Sequence, residues 1–431
     1  EVIDVIHRHL EAKWKQGGLA AMPALRSADF QSAVSPISNR QGVDSPGRAG
    51  KGAASSGLQT RDTADWKSAL RDCRTFPDYW NLYVPRALLP RLHAFELMMA
   101  PYAIAHMKIG LKLAETGYRF GTEERARIYL TNALEPKVKQ LPQIGFDALA
   151  HEAAAVNEIK WYKRFTVVIG NPPYTVMSAN LSDDARSLVD PYRFVDGERL
   201  KEKSMLRLEM HLQDDYIKFF RFGQALIETA GCGLFGYVSN HSFLDNPTLR
   251  GMRQSLRGTF SNLWLFDLHG NSKKKDDAPK EIEDRNVFDI QQGVAISLAK
   301  CFADSESKHI VRHADLFGPR DAKYRQLATS SVTGTKWELL DPSSPFHLFV
   351  PQDTTLRAEF TEAVGLLDIM PLNSCGVVSG REGLTYDFDK SALEERITVF
   401  CDPKHSDDWV REKFEVRDAG GYELAKRRRM I

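Results

Sequence analysis

The run from Phe165 to Pro173, Phe-Thr-Val-Val-Ile-Gly-Asn-Pro-Pro, constrains this chain more than any other stretch. Phe165 to Ile169 is a continuous apolar segment rich in β-branched residues, the pattern of a strand buried on both faces, so it predicts a central strand of a sheet. Gly170, Asn171 and two prolines then end it. Each proline fixes φ and lacks an amide donor, so the chain must turn away at the strand's carboxyl end. In open α/β sheets that end is where ligands bind.

Short apolar runs and helical patterns alternate around this segment, which predicts an α/β domain with a largely parallel sheet. Strands are expected over Leu92 to Leu97, Arg127 to Leu130, Leu234 to Val238, Leu263 to Leu268 and Val294 to Lys300. Helices are expected from Met98 to Gly117, from Asp214 to Thr229, and from Pro247 to Leu256 behind an Asn246 cap. Four regions follow: a helix over 1–12, an insertion over 13–76, a main domain over 77–329 and a second domain over 330–431. Within Gly17 to Gly57, 25 of 41 residues are Gly, Ala, Ser or Pro. Such a composition offers too little apolar surface to fold and predicts a disordered excursion. A seven-residue pattern recurs there, Ala28 to Val34 and Ala64 to Leu70, but two copies are too few for a solenoid.

With 58 Lys and Arg against 57 Asp and Glu, any nucleic-acid surface must be local. The longest apolar stretch, near Phe95 to Leu113, is broken by Glu96, His106, Lys108 and Lys112 and cannot span a bilayer. Five widely spaced cysteines without a CxxC pair fit reduced thiols in a cytoplasm. The first residues, EVIDVIHRHL, have helical spacing from the outset, so the chain reads as a piece that starts inside a helix.

The turn after the central strand carries the chemistry. Asn171 offers a side-chain oxygen, and the rigid backbone fixes the Pro172 carbonyl beside it. Two acceptors can thus converge on one amino group with two hydrogens to give. Pro173 continues the turn, and Tyr174 supplies a ring on which a planar, unstacked base can lie.

Asn171, Pro172, Pro173 and Tyr174 fill every position of the [DNS]-P-P-[YFW] signature, and here the chain resembles the γ-type N6-adenine DNA methyltransferases. The segments Leu89 to Tyr102, Asn271 to Lys275 and Asn286 to Gly293 bring the resemblance closer to the methyltransferase portion of type ISP restriction-modification enzymes, over roughly residues 79 to 400. The resemblance implies a Rossmann-like S-adenosylmethionine-dependent methyltransferase sheet with helices on both faces, followed by the start of a target-recognition domain. It implies double-stranded DNA as partner, S-adenosylmethionine as cofactor, no metal, and nuclease and ATPase domains upstream in the same polypeptide.

Carried over by position, Glu96 closes the family's second strand, where a carboxylate binds the cofactor ribose, with Leu97 beside it. Asn132 falls where the family, usually with Asp, contacts the cofactor adenine. The family's Gly-rich cofactor loop has no counterpart in this sequence, and EVIDVIHRHL resembles the helix that follows such a loop. Lys273, Lys274 and Lys275, in a loop between strands, are candidates for DNA phosphate contacts; a solvated charge run is the plainer reading, and Asp276, Asp277, Glu281, Glu283 and Asp284 follow closely. Two other functions stay open: methylation of a glutamine amide in a protein, and a catalytically silent DNA-binding remnant.

Overall fold

The structure, a computed structural model, describes residues 2–22, 70, 73–121, 125–135, 156, 159–160, 163–174, 180, 182–200, 211–272, 283–302, 309–372, 382–418 and 423–429. It divides into two compact units, Glu1–Pro351 and Gln352–Ile431.

In the first unit, strands β1 (His93–Glu96) and β2 (Arg127–Leu130) form a parallel pair. A separate six-stranded sheet holds β3 (Val167–Gly170), β6 (Gly233–Asn240), β7 (Asn262–His269), β8 (Val294–Cys301), β9 (Ile310–Asp315) and β10 (Glu338–Leu340), in the order β10-β9-β7-β8-β6-β3. A small hairpin joins β4 (Phe194–Val195) to β5 (Glu198–Arg199). β3 runs parallel to β6, and β7 parallel to β9, but β8 lies antiparallel between β6 and β7. The sheet is therefore mixed, not largely parallel. Adjacent antiparallel strands need no helical crossover between them.

Alternation along β7 shows how both sheet faces are covered. Leu263 and Leu265 enter the main core, which the helix Asp215–Ala230 fills with Ile217, Phe220 and Ile227 and the helix Arg250–Thr259 with Met252 and Leu256. Phe266 and Leu268 point the other way, toward Leu327 of the helix Arg320–Thr329 and toward Trp337.

β3 differs from its sequence reading in one respect. It pairs only with β6 among the described residues, and Val167 and Ile169 are 59% and 62% exposed. The run that looked buried on both faces lies at a sheet edge. The pair β1 and β2 sits beside its entrance: the His93 ring meets Phe165 edge-on at 5.4 Å, and Phe95, Tyr129, Val156, Ile159 and Phe165 cluster together.

The first helix, α1, runs Val2–Gly17 and continues into a 3-10 turn at Gly18–Ala21, so order does not stop at residue 12. Trp14 packs on Phe76 and Tyr79 with ring centroids 6.3 and 5.8 Å apart, in a core shared with α2 (Phe76–Tyr83). An aromatic anchor within an otherwise polar segment extends the helix because tertiary packing, not composition, supplies helical stability. Residues 23–69, most of the expected excursion and both repeat copies but for Leu70, lie outside the described residues.

The expected boundary near 330 also moves. β10 pairs with β9, Phe349 is fully buried in the main core and donates its amide to the Leu244 carbonyl at 2.9 Å, and the buried Arg253 guanidinium donates to the carbonyls of Phe346 and His347. These contacts carry the first unit to Pro351. The second unit is helical where described, with Lys390–Cys401, Asp407–Phe414 and Leu424–Arg428 around Phe400, Val410, Val416 and Leu424. The β-like run Gly376 to Val378 lies outside the described residues. No described helix is long and apolar enough to cross a membrane.

Candidate active site

Asn171 leaves β3 at the edge of the sheet where β6, β7 and β9 also end. Close packing holds that strand end. A Cβ on Gly170 would stand 2.9 Å from the Tyr237 ring, so only glycine lets the strand lie flat against its β6 partner. Tyr237 is itself buried, donates its hydroxyl to the Phe219 carbonyl at 3.3 Å, and packs on Phe220 and Phe235.

Beyond Gly170, Pro172 is buried while Asn171 and Pro173 are exposed. The Tyr174 hydroxyl donates to Asn171 Oδ1 at 3.1 Å, and its ring meets Phe288 edge-on at 6.0 Å above the second core. Burial pushes the Tyr174 hydroxyl up to about 12, so it remains a donor at neutral pH. A carbonyl oxygen has two lone pairs, so with the Tyr174 hydroxyl on one, Asn171 Oδ1 can still accept a second hydrogen bond. The four residues are consecutive in the sequence, but the hydroxyl-to-amide hydrogen bond appears only in the fold.

A second wall is formed by the ends of β1 and β2. Glu96 Oε1 accepts the Met98 amide at 2.9 Å, and among the described residues the other carboxylate oxygen accepts no hydrogen bond. Leu97, Met98 and Met99 beside it are 63%, 61% and 62% exposed. Asn132 is more committed: Oδ1 accepts the Leu134 amide at 3.0 Å, and Nδ2 donates to Asn180 Oδ1 at 2.6 Å. The amide group of Asn132 is thus engaged within the protein.

Asn180 joins the two walls, and no local pattern in the chain marks it. Its Nδ2 donates to Asp215 Oδ1 at 3.0 Å, and its carbonyl accepts the buried Lys218 ammonium at 2.6 Å. Burial lowers the Lys218 pKa, opposed by the charge of Asp215. Asp214, also buried, is pushed up to about 7 by burial and then by the Asp215 carboxylate. On the β1 and β2 side, Lys160 Nζ donates to the Asn132 carbonyl at 2.9 Å and lies 5.8 Å from the Phe95 ring centroid; burial lowers its pKa. The pair Asp214 and Asp215 could have been singled out as two adjacent carboxylates opening an amphipathic helix. From the sequence they read as a helix start alone.

At the end of β6, Asn240 Oδ1 accepts the Ser242 amide and hydroxyl, and His241 Nδ1 lies 3.1 Å from Asp267. His241 is turned toward β7 and not toward Asn171. Lys273, Lys274 and Lys275 lie outside the described residues, which resume at Glu283. Asp284 is spent internally, accepting the amides of Gly270 and Gly318 and the Lys323 ammonium, the last at 2.6 Å.

Residues 93–273 match the Eco57I restriction-modification methylase family. No curated protein matches the chain. Among solved structures, it resembles an ATP-dependent type ISP restriction-modification enzyme, LlaBIII, bound to DNA, with a TM-score of 0.54 and 20% identity over 84% of this chain and 26% of that one. A nuclease-deletion mutant of the type ISP enzyme LlaGI, in complex with a DNA substrate mimic, gives 0.52 and 19% over 82% and 34%. The DrdV–DNA complex gives 0.51 and 21% over 76% and 33%. The chain spans about a quarter to a third of the length of these proteins. At this identity they share its fold. Over residues 93–273, then, the chain is similar to the Eco57I restriction-modification methylases.

Proposed function

We propose that this domain is the catalytic part of a site-specific DNA methyltransferase that transfers methyl from S-adenosylmethionine to N6 of a flipped adenine, on a Rossmann-like methyltransferase sheet. The observation that carries the reading is the Asn171 to Tyr174 turn, with Asn171 Oδ1 held by the Tyr174 hydroxyl at the sheet's carboxyl edge. Its remaining lone pair and the Pro172 carbonyl can accept both hydrogens of one amino group.

Glu96 fits the cofactor's ribose, since one carboxylate oxygen is free to accept hydroxyl protons, and the exposed Leu97 suits an adenine face. Asn132 fits less well as an adenine ligand because Leu134 and Asn180 occupy its amide; it serves better to align the two walls. When bound, S-adenosylmethionine supplies an electrophilic methyl group. The chain's part is to orient. The adenine amino lone pair is delocalised into its ring, and acceptor bonds from Asn171 and Pro172 turn it out of that plane. Tyr174 offers stacking that offsets part of the few kcal/mol spent on flipping the base. No covalent intermediate with the protein is needed. Lys273 to Lys275 are assigned to the phosphates flanking that base, and the second unit to target recognition. The nuclease and ATPase of the type ISP pattern would act from elsewhere in the same polypeptide.

Transfer of labelled methyl to duplex DNA tests this directly, with the natural full-length protein as the enzyme and a glutamine-containing peptide as the competing substrate. Asn171→Ala should lower turnover on the order of 100- to 1,000-fold with DNA affinity unchanged. Near-normal turnover, or label on the peptide alone, would refute the assignment.

A further inference from the structure

A second cluster of polar side chains sits at the ends of β7 and β9, away from the proposed chemistry. In the parallel register Asp267 lies beside Asp315, and Leu265 beside His313. Residues two apart on a strand share a face, so Asp267, His313 and Asp315 share one. One potential ligand atom from each lies within 4.8 Å of the other two.

Their hydrogen bonding is incomplete. His313 is 1% exposed, yet neither ring nitrogen has a hydrogen-bond partner among the described residues. Its Nδ1 stands 3.7 Å from Asp315 Oδ2, too far for a hydrogen bond. A buried polar group left in this state costs about 1–3 kcal/mol. Two ligands each about 2.1 Å from a tetrahedral cation stand roughly 3.4 Å apart, so a spacing too long for a hydrogen bond suits two ligands of one ion.

The surroundings are those of an oriented site. His241 Nδ1 lies 3.1 and 3.2 Å from the two oxygens of Asp267, and the His269 amide donates to Asp267 Oδ1 at 2.8 Å. His269 Nε2 lies 2.8 Å from Asp315 Oδ1, its ring stacked on Phe317 at 3.9 Å. Each carboxylate therefore has a histidine fixing its direction, the arrangement that tunes metal ligands. The Asp315 side chain is 39% exposed, which provides an entry path and room for water.

We propose that Asp267, His313 and Asp315 bind one divalent transition-metal cation at the ends of β7 and β9, with His241 and His269 orienting the carboxylates. The imidazole ligand favours zinc over the hard cations magnesium and calcium. β6 and β8 separate this place from β3 in the sheet, so the ion would brace the end of β7, where residues 269–272 depart, and would take no part in methyl transfer.

The test is zinc titration by calorimetry into the chelator-treated full chain, with elemental analysis after desalting. One zinc per chain is expected, together with a rise in Tm. Asp315→Asn and His313→Gln should each weaken binding on the order of 100-fold and abolish the rise, and His241→Ala should weaken it about 10-fold. Asp315→Asn is isosteric and partly exposed, so it decides the matter if His313→Gln does not fold. A folded wild-type chain that binds no zinc, or zinc binding that survives Asp315→Asn undiminished, would overturn the site.

Discussion

Along β3 and β6, the wall that would hold the target base is backed by Phe220, Phe235 and Tyr237, which are 1%, 3% and 4% exposed. Along β1 and β2, the wall that would hold the cofactor ends in Leu97, Met98 and Met99, all more than 60% exposed, and Ile104, Met107 and Leu111 of the helix Met99–Glu115 are 47%, 57% and 57% exposed. The first wall is a finished interior that fixes its acceptors before any ligand arrives. The second keeps its apolar surface available. Preorganised acceptors are most effective where charge shifts during reaction, whereas exposed apolar surface suits a face that will be covered by binding.

Core truncation should separate the walls most sharply. Phe220→Ala, which removes a ring lying 4.9 Å from Phe243 and 5.3 Å from Tyr237, should cost about 3–5 kcal/mol in denaturant unfolding. Met107→Ala, on the exposed helix face, should change stability by no more than about 0.5 kcal/mol. Equal losses at the two positions would erase the contrast.

Glu96→Ala comes next in size and addresses the cofactor wall alone. Loss of hydrogen bonds to a charged carboxylate is worth about 1.5–3 kcal/mol, so cofactor affinity measured by equilibrium binding to the full-length protein should fall roughly 10- to 100-fold. Stability should barely move, because among the described residues Oε1 meets only the Met98 amide.

Asp214 sharpens the comparison through pH. Folding pushes its carboxyl up to about 7 through burial and the neighbouring Asp215. Unfolded, the same carboxyl releases its proton near 4, so between these values the folded chain binds more protons and stability falls as pH rises. Asp214→Asn should therefore add stability that grows from about pH 4 to pH 7 and levels off above. A pH-independent effect in thermal unfolding would place the origin elsewhere.

The smallest effect is expected for deletion of residues 27–64, a stretch poor in apolar residues that begins beyond the last described contacts of α1. Loop-closure cost changes by only about 0.6 kcal/mol per doubling of length, so unfolding should shift by less than about 1 kcal/mol. A loss of several kcal/mol would give this segment a structural role.

Local signals were legible where the neighbouring chain decides the outcome. Arg127 to Leu130 reads as a strand from four residues and is one; the helix expected from Asp214 begins at Asp215; and Asn246 caps the turn at Pro247–Leu249 before the helix that starts at Arg250. Asn171 to Tyr174 was legible because two prolines fix a turn whatever surrounds it. Trp14 and Phe349 misled for one shared reason: each lies in a stretch with weak local pattern, and each is ordered by a distant partner.

By itself, then, the sequence determined the α/β alternation, the turn with its acceptors, and Glu96 at a strand end, since backbone stereochemistry and hydrophobic period act over a few residues. Only the tertiary structure decided that β8 runs antiparallel, that β3 pairs only with β6 among the described residues, that Asn180 ties Asn132 to Asp215, and that Asp267, His313 and Asp315 meet. Those outcomes depend on pairings between segments tens of residues apart, and periodicity within a segment carries no information about which other segment will lie beside it.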